Sequence, residues 1–277
     1  MTLAEYIKTN ISEAFATIPL SACAVTKPYL IADAPKGTEL YAVVMAAPYP
    51  RNDAPPLASF ARIPDYHGFF AHHGGKIASL LLEKYGGAYV KTFADHSPID
   101  ERRAALDAGL GIIGDNGYLI TEKYGSFVFI GETVCSLTRD ELSYEGIPHG
   151  APKEGGCLHC GACRDACPSG ALRGNHTLCV AGLTQKKGLL SDTERAIIKA
   201  SGYAWGCDVC ASVCPMNEGV AAKYSDHFTA GAIDGDERRR IGAMSDGEYA
   251  KYPFSWRKRE IIMRNFDIIE GAEEVND

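Results

Sequence analysis

The chain has 277 residues, 46% of them hydrophobic and 23% charged, which suits one large globular domain or two modest ones. A net charge of −7 and a pI near 5.6 argue against a broad basic surface for nucleic acid, leaving room only for a local basic patch. No apolar run approaches the roughly 20 residues of a membrane span, so no membrane partner is expected.

The N-terminal MTLAEYIKTNISEAF is charged and periodic, unlike a secretory leader, and residues 3–16 read as an amphipathic helix through Leu3, Tyr6, Ile7, Ile11 and Phe15. A cytoplasmic setting follows as an expectation. Residues 39–48, ELYAVVMAAP, form an apolar run closed by proline and read as a buried strand. The proline-rich APYPRNDAPP loop then lies at a strand end, where ligands gather in α/β folds.

Residues 58–85 carry Asp65-Tyr66-His67 and a helical pattern with Ile77, Leu80, Leu81 and Tyr85 on one face, stopped by Gly86 and Gly87. Residues 88–93 alternate like a strand and deliver Asp95-His96-Ser97-Pro98 to a loop. A helix over 99–109 follows, then a turn over 110–114 and a hairpin of 118–121 with 126–132. The loop over 138–156, rich in Gly, Pro and charge, separates this region from the cysteines. Beyond Cys214 the chain turns helical and polar, ending in an isolated amphipathic helix over 254–269 and an acidic tail. The expected division is therefore 1–150, 151–222 and 223–277, with no internal repeat apart from two cysteine motifs.

Eight of the ten cysteines lie between residues 157 and 214. Clustered thiols in a reducing compartment usually ligate metal. CLHCGACRDACP places Cys157, Cys160, Cys163 and Cys167 in the spacing of two-cluster ferredoxins, where the fourth cysteine serves the other cluster. CDVCASVCP adds Cys207, Cys210 and Cys214. In that arrangement Cys157, Cys160, Cys163 and Cys214 hold one 4Fe–4S cluster. Cys167, Cys207 and Cys210 hold the second, with Cys179 as the candidate fourth ligand. Zinc ribbons also use C-x2-C pairs, but two runs that each close on Cys-Pro fit iron–sulfur clusters better. Cys23 and Cys135 lack partner spacing and read as buried small hydrophobes.

The ordered set of F-A-R-I-P-D-Y-H (60–67), F-A-D-H-S-P-I-D-E-R (93–102), D-A-G-L-G-I-I-G (107–114), Y-G-S-F-V-F-I-G-E (124–132), C-V-A-G-L-T (179–184) and W-G-C-D-V-C-A-S-V-C-P-M-N (205–217) resembles the epoxyqueuosine reductase family. These are cobalamin-dependent iron–sulfur enzymes of queuosine synthesis, akin to corrinoid reductive dehalogenases. The resemblance implies an α/β (α+β) fold: a nitroreductase-like cobalamin-binding domain, a bacterial two-cluster ferredoxin-like domain and a short helical C-terminal extension. It implies two 4Fe–4S clusters and cobalamin as cofactors, with electrons entering from ferredoxin or flavodoxin at the Cys167, Cys179, Cys207 and Cys210 cluster.

By the same resemblance Asp95 is the proton donor to the departing epoxide oxygen, a role a carboxyl group tucked against a flat apolar ring could fill with a raised pKa. The competing reading of Asp95 is an Asx or N-cap residue ahead of the next helix. Asn116, Leu119, Ser126 and Ile130 fall in segments that line the family's cobalamin pocket, partly through backbone, and they read equally as hairpin core. His67 lines the pocket, orients a neighbour or is structural. His72 and His73 read as solvated.

Three departures stand out. Gly114-Asp115-Asn116 replaces a lysine-bearing turn, which puts phosphate or tRNA contact there in doubt. Residues 17–40 differ in pattern from the family. The chain ends without the HEAT-like helical repeats that help those enzymes hold tRNA, and its basic runs, 238–240 and 257–264, read as helix faces. The epoxide is thus either tRNA-borne or on a smaller molecule, with the departures leaning to the latter. Two other functions stay open: a ferredoxin-like electron carrier, and a flavin-dependent reductase on the same scaffold.

Overall fold

The structure, a computed structural model, describes residues 1–153, 155–221 and 223–271; the acidic tail beyond Gly271 lies outside them. The chain packs as two units, neither continuous in sequence. The first comprises Met1–Tyr49, Tyr66–Leu158 and Gly219–Ser225, and the second the remainder. This grouping differs from the sequential blocks expected above. Pro50–Asp65 joins the second unit because Leu57 and Ala61 are buried there with Trp205 and Phe254.

In the first unit α1 (Leu3–Asn10) is opened by a capping box, Thr2 accepting from the Glu5 amide and the Glu5 carboxylate from the Thr2 amide. The helix stops at Asn10, short of the expected residue 16. Phe15–Pro19 is instead strand β1, because aromatic Phe15 and β-branched Thr17 and Ile18 suit a strand buried on both faces once a neighbouring strand is there to pair with. The next strand, β2 (Tyr41–Pro48), is buried at every residue. An uncharged run of that kind needs cover on both faces.

Helix α2 (Tyr66–Lys84), strand β3 (Val90–Phe93) and helix α3 (Glu101–Asp107) follow. Then come β4 (Ile112–Ile113), β5 (Leu119–Ile120), β6 (Val128–Cys135) and the short α4 (Arg139–Tyr144). The main sheet is antiparallel in the order β1-β2-β6-β3. The expected hairpin of 118–121 with 126–132 is not how these strands pair. β5 joins β4, and β6 crosses to lie between β2 and β3.

One sheet face carries Ala42, Val44, Ala46, Phe93 and Val134 and packs on Ala104, Ala105 and Ala108 of α3. On the other face α2 comes close because two glycines allow it. A Cβ on Gly131 of β6 would sit 2.4 Å from the Phe70 ring, and one on Gly74 of α2 2.5 Å from Thr92. The N-terminus is pinned by buried Glu145, which accepts from the Leu3 amide at 2.7 Å, Lys84 at 3.0 Å and Tyr85 at 3.1 Å.

The second unit is all helix and turn among its described residues. It contains α5 (Ala162–Asp165), α6 (Val180–Leu183), α7 (Asp192–Ser201), α8 (Val209–Ser212), α9 (Glu237–Ala243), α10 (Asp246–Tyr249) and α11 (Arg259–Glu270). The last helix is not isolated as its amphipathic pattern suggested. Ile262 and Phe266 share a core with Trp205 and Phe254. Buried Asn265 donates to the Thr184 and Ala204 carbonyls at 2.6 and 2.9 Å, tying α11 to the cysteine segments. Arg62 is buried with Glu237 at 2.5 Å and also donates to the Ala54 and Leu57 carbonyls. Among the described residues no helix is long and apolar enough to cross a membrane.

Candidate functional site

Strand β3 ends at Phe93, and two residues later the backbone reverses. The His96 amide donates to the Ala94 carbonyl at 2.7 Å across Asp95, whose φ is +61°. That is a γ-turn of the positive-φ form, rare and strained for a residue with a Cβ. Strain of this kind persists only where its surroundings over-determine it, and it clusters at functional sites. One such surrounding contact is Glu101, at the first residue of α3, whose Oε1 accepts the Asp95 amide at 2.6 Å.

The Asp95 side chain is not a helix cap. Asp100 caps α3 instead, accepting from the Arg103 amide. Asp95 is 70% exposed and faces His67 Nε2 at 3.7 Å. The histidine beside it holds the Asp95 carboxyl below the usual carboxylate range. With this surface open the carboxyl is thus shifted opposite to the raised pKa anticipated for an apolar pocket: water and His67 favour the ionised form. His67 stands at the end of a ring stack, Tyr66 on His67 at 4.2 Å, Phe129 on Tyr66 at 4.3 Å and Tyr49 on Phe129 at 4.3 Å. His73 is not simply solvated; its Nδ1 meets the Tyr6 hydroxyl at 2.8 Å.

Beneath this loop lies a residue that the sequence reading passed over. Glu132 is fully buried in β6, in register with Val44 and Phe93 and so on the α3 face. Its Oε1 accepts from the Ser97 hydroxyl, and its Oε2 has no hydrogen-bond partner. Burial, reinforced by the Glu101 charge, pushes the Glu132 carboxyl well above its ordinary range. Burial likewise pushes Glu101 up to about 7. The signal was a lone acid in an otherwise uncharged strand, at the end of a motif already singled out.

The four residues assigned by resemblance to a corrinoid pocket divide. Asn116 is half-buried, with Oδ1 accepting the Tyr118 amide at 3.2 Å. Leu119 and Ser126 are buried, and Leu119 sits in the core under the sheet, which leaves its backbone as the part able to meet a ligand. Ile130 is partly buried against the same core.

All ten cysteines are free thiols. In the second unit Cys207 and Cys210 are pushed up to about 12 by burial, and the neighbouring Cys167 and Cys179 add to the push on both. Those four thiols thus lie near enough to repel one another as thiolates, the arrangement a metal cluster relieves. Burial raises Cys167 too, but the Leu172, Ser169 and Ala171 amides more than offset it, so its thiolate is favoured. Cys163 is near enough to raise Cys210 as well. Cys23 and Cys135, raised to about 11 by burial, behave as the hydrophobes expected of them.

The cysteine-rich segment also has counterparts among known proteins. Residues 156–217 match the family model described as a 4Fe-4S double cluster binding domain. The chain is 30% identical over 209 residues to the epoxyqueuosine reductase of Staphylococcus aureus, covering 73% of this chain and 52% of that one. It is 31% identical over 257 residues to the Bacillus subtilis epoxyqueuosine reductase, covering 83% and 62%. A crystal structure of epoxyqueuosine reductase with an epoxyqueuosine-modified tyrosine tRNA stem loop has the same fold, with a TM-score of 0.73 at 23% identity over 96% of this chain and 79% of that one. The chain spans about half to three-fifths of the curated relatives it matches.

The molecule is therefore an iron–sulfur protein of the double-cluster class that also contains an antiparallel sheet unit. Its sequence and fold are similar to those of the epoxyqueuosine reductases.

Proposed function

We propose that this chain is an iron–sulfur, cobalamin-dependent reductase of the epoxyqueuosine reductase type, acting on an epoxide carried by tRNA, with Asp95 as proton donor. The observation that carries the reading is the strained, exposed turn at Asp95, in a chain whose other half matches a double-cluster domain. Reducing an epoxide C–O bond takes two electrons and, at the departing oxygen, a proton. Two clusters supply a path for the electrons, and a carboxyl group beside a histidine supplies a place for the proton.

The ligand sets we assign are Cys157, Cys160, Cys163 and Cys214 for one cluster and Cys167, Cys179, Cys207 and Cys210 for the other. Ferredoxin spacing supports both, and the nearness of Cys167 and Cys179 to Cys207 and Cys210, both of which they raise, supports the second set further. Electrons enter from a ferredoxin or flavodoxin at the second cluster, in the cytoplasm, where such thiols stay reduced.

A corrinoid suits the first unit on the chemistry of its groups. The stack of Tyr49, Phe129, Tyr66 and His67 offers flat rings that run to Asp95. Asn116, Ser126 and the backbone of Leu119 and Ile130 offer the amide and hydroxyl groups that the amide rim of a corrinoid pairs with. When bound, cobalamin supplies a strongly reducing metal centre for the C–O bond. Cover by any large flat ligand removes water from Asp95, which raises its pKa and lets it hold the proton that it releases in the open state. His67 keeps the carboxyl aimed.

The relative solved with a modified tRNA stem loop supports a tRNA-borne substrate over a small one. The C-terminal arginines do not provide its binding surface on this account: Arg238 pairs with Asp267 and Glu270, and Arg264 caps the Lys186 and Gly188 carbonyls. The test is reconstitution with iron, sulfide and cobalamin, followed by reaction with an epoxyqueuosine-bearing stem loop and, separately, the free nucleoside. Corrinoid retention with reduction of the stem loop is expected. Failure to retain corrinoid, or retention of flavin in its place, overturns the reading. Reduction of the nucleoside alone overturns the tRNA assignment.

A further inference from the structure

Two carboxyl groups that the proposed chemistry does not use lie near its proton donor, one bonded to the Asp95 amide and the other to Ser97 of the same loop. Glu101 Oε1 takes the Asp95 amide at 2.6 Å. Glu132, in the strand beneath, is wholly inside the protein, with the Ser97 hydroxyl on one oxygen, no donor on the other, and the Glu101 carboxyl within hydrogen-bonding reach. A buried carboxylate oxygen with no donor costs several kcal/mol on the order of an unpaired buried charge. Glu101 on α3 and Glu132 on the sheet face that α3 covers interact too closely for both to ionise cheaply, so the pair keeps one proton.

Which acid keeps it follows from the contacts. Glu101 is half-buried and accepts a backbone N–H, a bond that strengthens with negative charge. Glu132 has no N–H donor and no opposite charge among its contacts, so the neutral form suits it. The charged and titratable groups facing the pair are Asp95 and His96 of the loop, His67 of α2, and Lys27 and Cys23 of the segment following β1. Lys27 is the one cation among them acting directly on Glu101, and it favours the ionised form.

We propose that Glu101 and Glu132 are positioning residues for Asp95: ionised Glu101 clasps the Asp95 amide and holds the strained turn, while Glu132 carries the proton the pair shares. The clasp explains how a positive-φ aspartate is sustained at the turn, where the His96–Ala94 bond alone would have to hold the backbone reversal. It makes the aim of the Asp95 carboxyl depend on the charge of half-buried Glu101. Protonation of Glu101 loosens the clasp, so the pair links the loop's geometry to pH. This rests on the reading of Asp95 as proton donor.

The test uses the full-length, cluster-loaded protein and two variants, Glu101→Gln and Glu132→Gln. Infrared titration without substrate reads the pair directly. The wild type is expected to keep a carboxylic-acid carbonyl band well above the ordinary carboxylate range, and Glu132→Gln is expected to lose it. In turnover, Glu132→Gln shifts the acidic limb of the pH profile down by about one unit or more, because Glu101 then ionises next to a neutral amide. Glu101→Gln removes that limb and lowers kcat by on the order of a hundredfold with KM unchanged, as expected for a mis-aimed donor.

A wild type without the acid band overturns the proposal, as does a band that survives Glu132→Gln. A pH profile unmoved in both variants overturns the positioning role. Should Glu132→Gln fail to fold, the wild-type band and the Glu101→Gln profile still decide. Normal turnover by Asp95→Asn sinks the parent reading and leaves the infrared result standing, so the two failures are told apart.

Discussion

The two units are held by different means. In the first, β2 is paired along its whole length to β6 and over Tyr41–Met45 to β1, and is buried at every residue, so its order comes from backbone ladders and aliphatic packing. In the second, the cysteine segments contain only four-residue helices, α5, α6 and α8. Helices so short have no stability of their own. Their geometry has to come from neighbours such as Asn265 and, on the proposed ligand sets, from iron. The comparison teaches that one unit is a scaffold that carries a site, whereas the other is a site that supplies much of its own scaffold.

Removing iron is the harshest way to test that difference. Chelation is expected to collapse hydrogen-exchange protection across residues 157–217 while β2 and β6 keep theirs. Equal loss in both regions would erase the distinction. A smaller cut within the second unit is Arg62→Ala, which strands Glu237 and two carbonyls in a buried site. It is expected to cost about 3–5 kcal/mol in denaturant unfolding, and a loss below 1 kcal/mol would show the pair to be dispensable.

The first unit has its own weak point in its buried acids. Glu101 rises in the fold from its ordinary value of 4.5 to about 7, so the folded state holds a proton that the unfolded chain releases between those values. Stability from this group is therefore complete below pH 4.5 and is lost as pH climbs toward 7, with Glu132 acting in the same direction. The expected loss is of order 1–3 kcal/mol, read from unfolding midpoints across that window. Stability that rises through the window would contradict it.

How far the sequence could be read follows the same divide. β2 and α2 were legible because long apolar runs closed by Pro48 or by Gly86 and Gly87 admit one period. The boundary between α1 and β1 was not, since Phe15 and Ile18 suit a helix face as well as a strand until β2 supplies a partner. β4 has two residues, too few for any periodicity to show, and so β5 was paired with the wrong neighbour. The cysteine spacings announced metal without any fold at all. Glu132 left a trace in the sequence as the lone acid of β6, but its burial shows only once α3 and the sheet close over it, and the part of Glu101 only with the Asp95 turn. The attachment of Pro50–Asp65 to the second unit is purely tertiary, resting on Leu57 and Ala61.

The central claim is that the scaffold's strained turn delivers the proton while the cluster region delivers the electrons. Asp95→Asn in the reconstituted protein separates the two. The account predicts unchanged iron–sulfur and corrinoid spectra together with loss of epoxide reduction on the modified stem loop. Reduction at the wild-type rate by Asp95→Asn would contradict it.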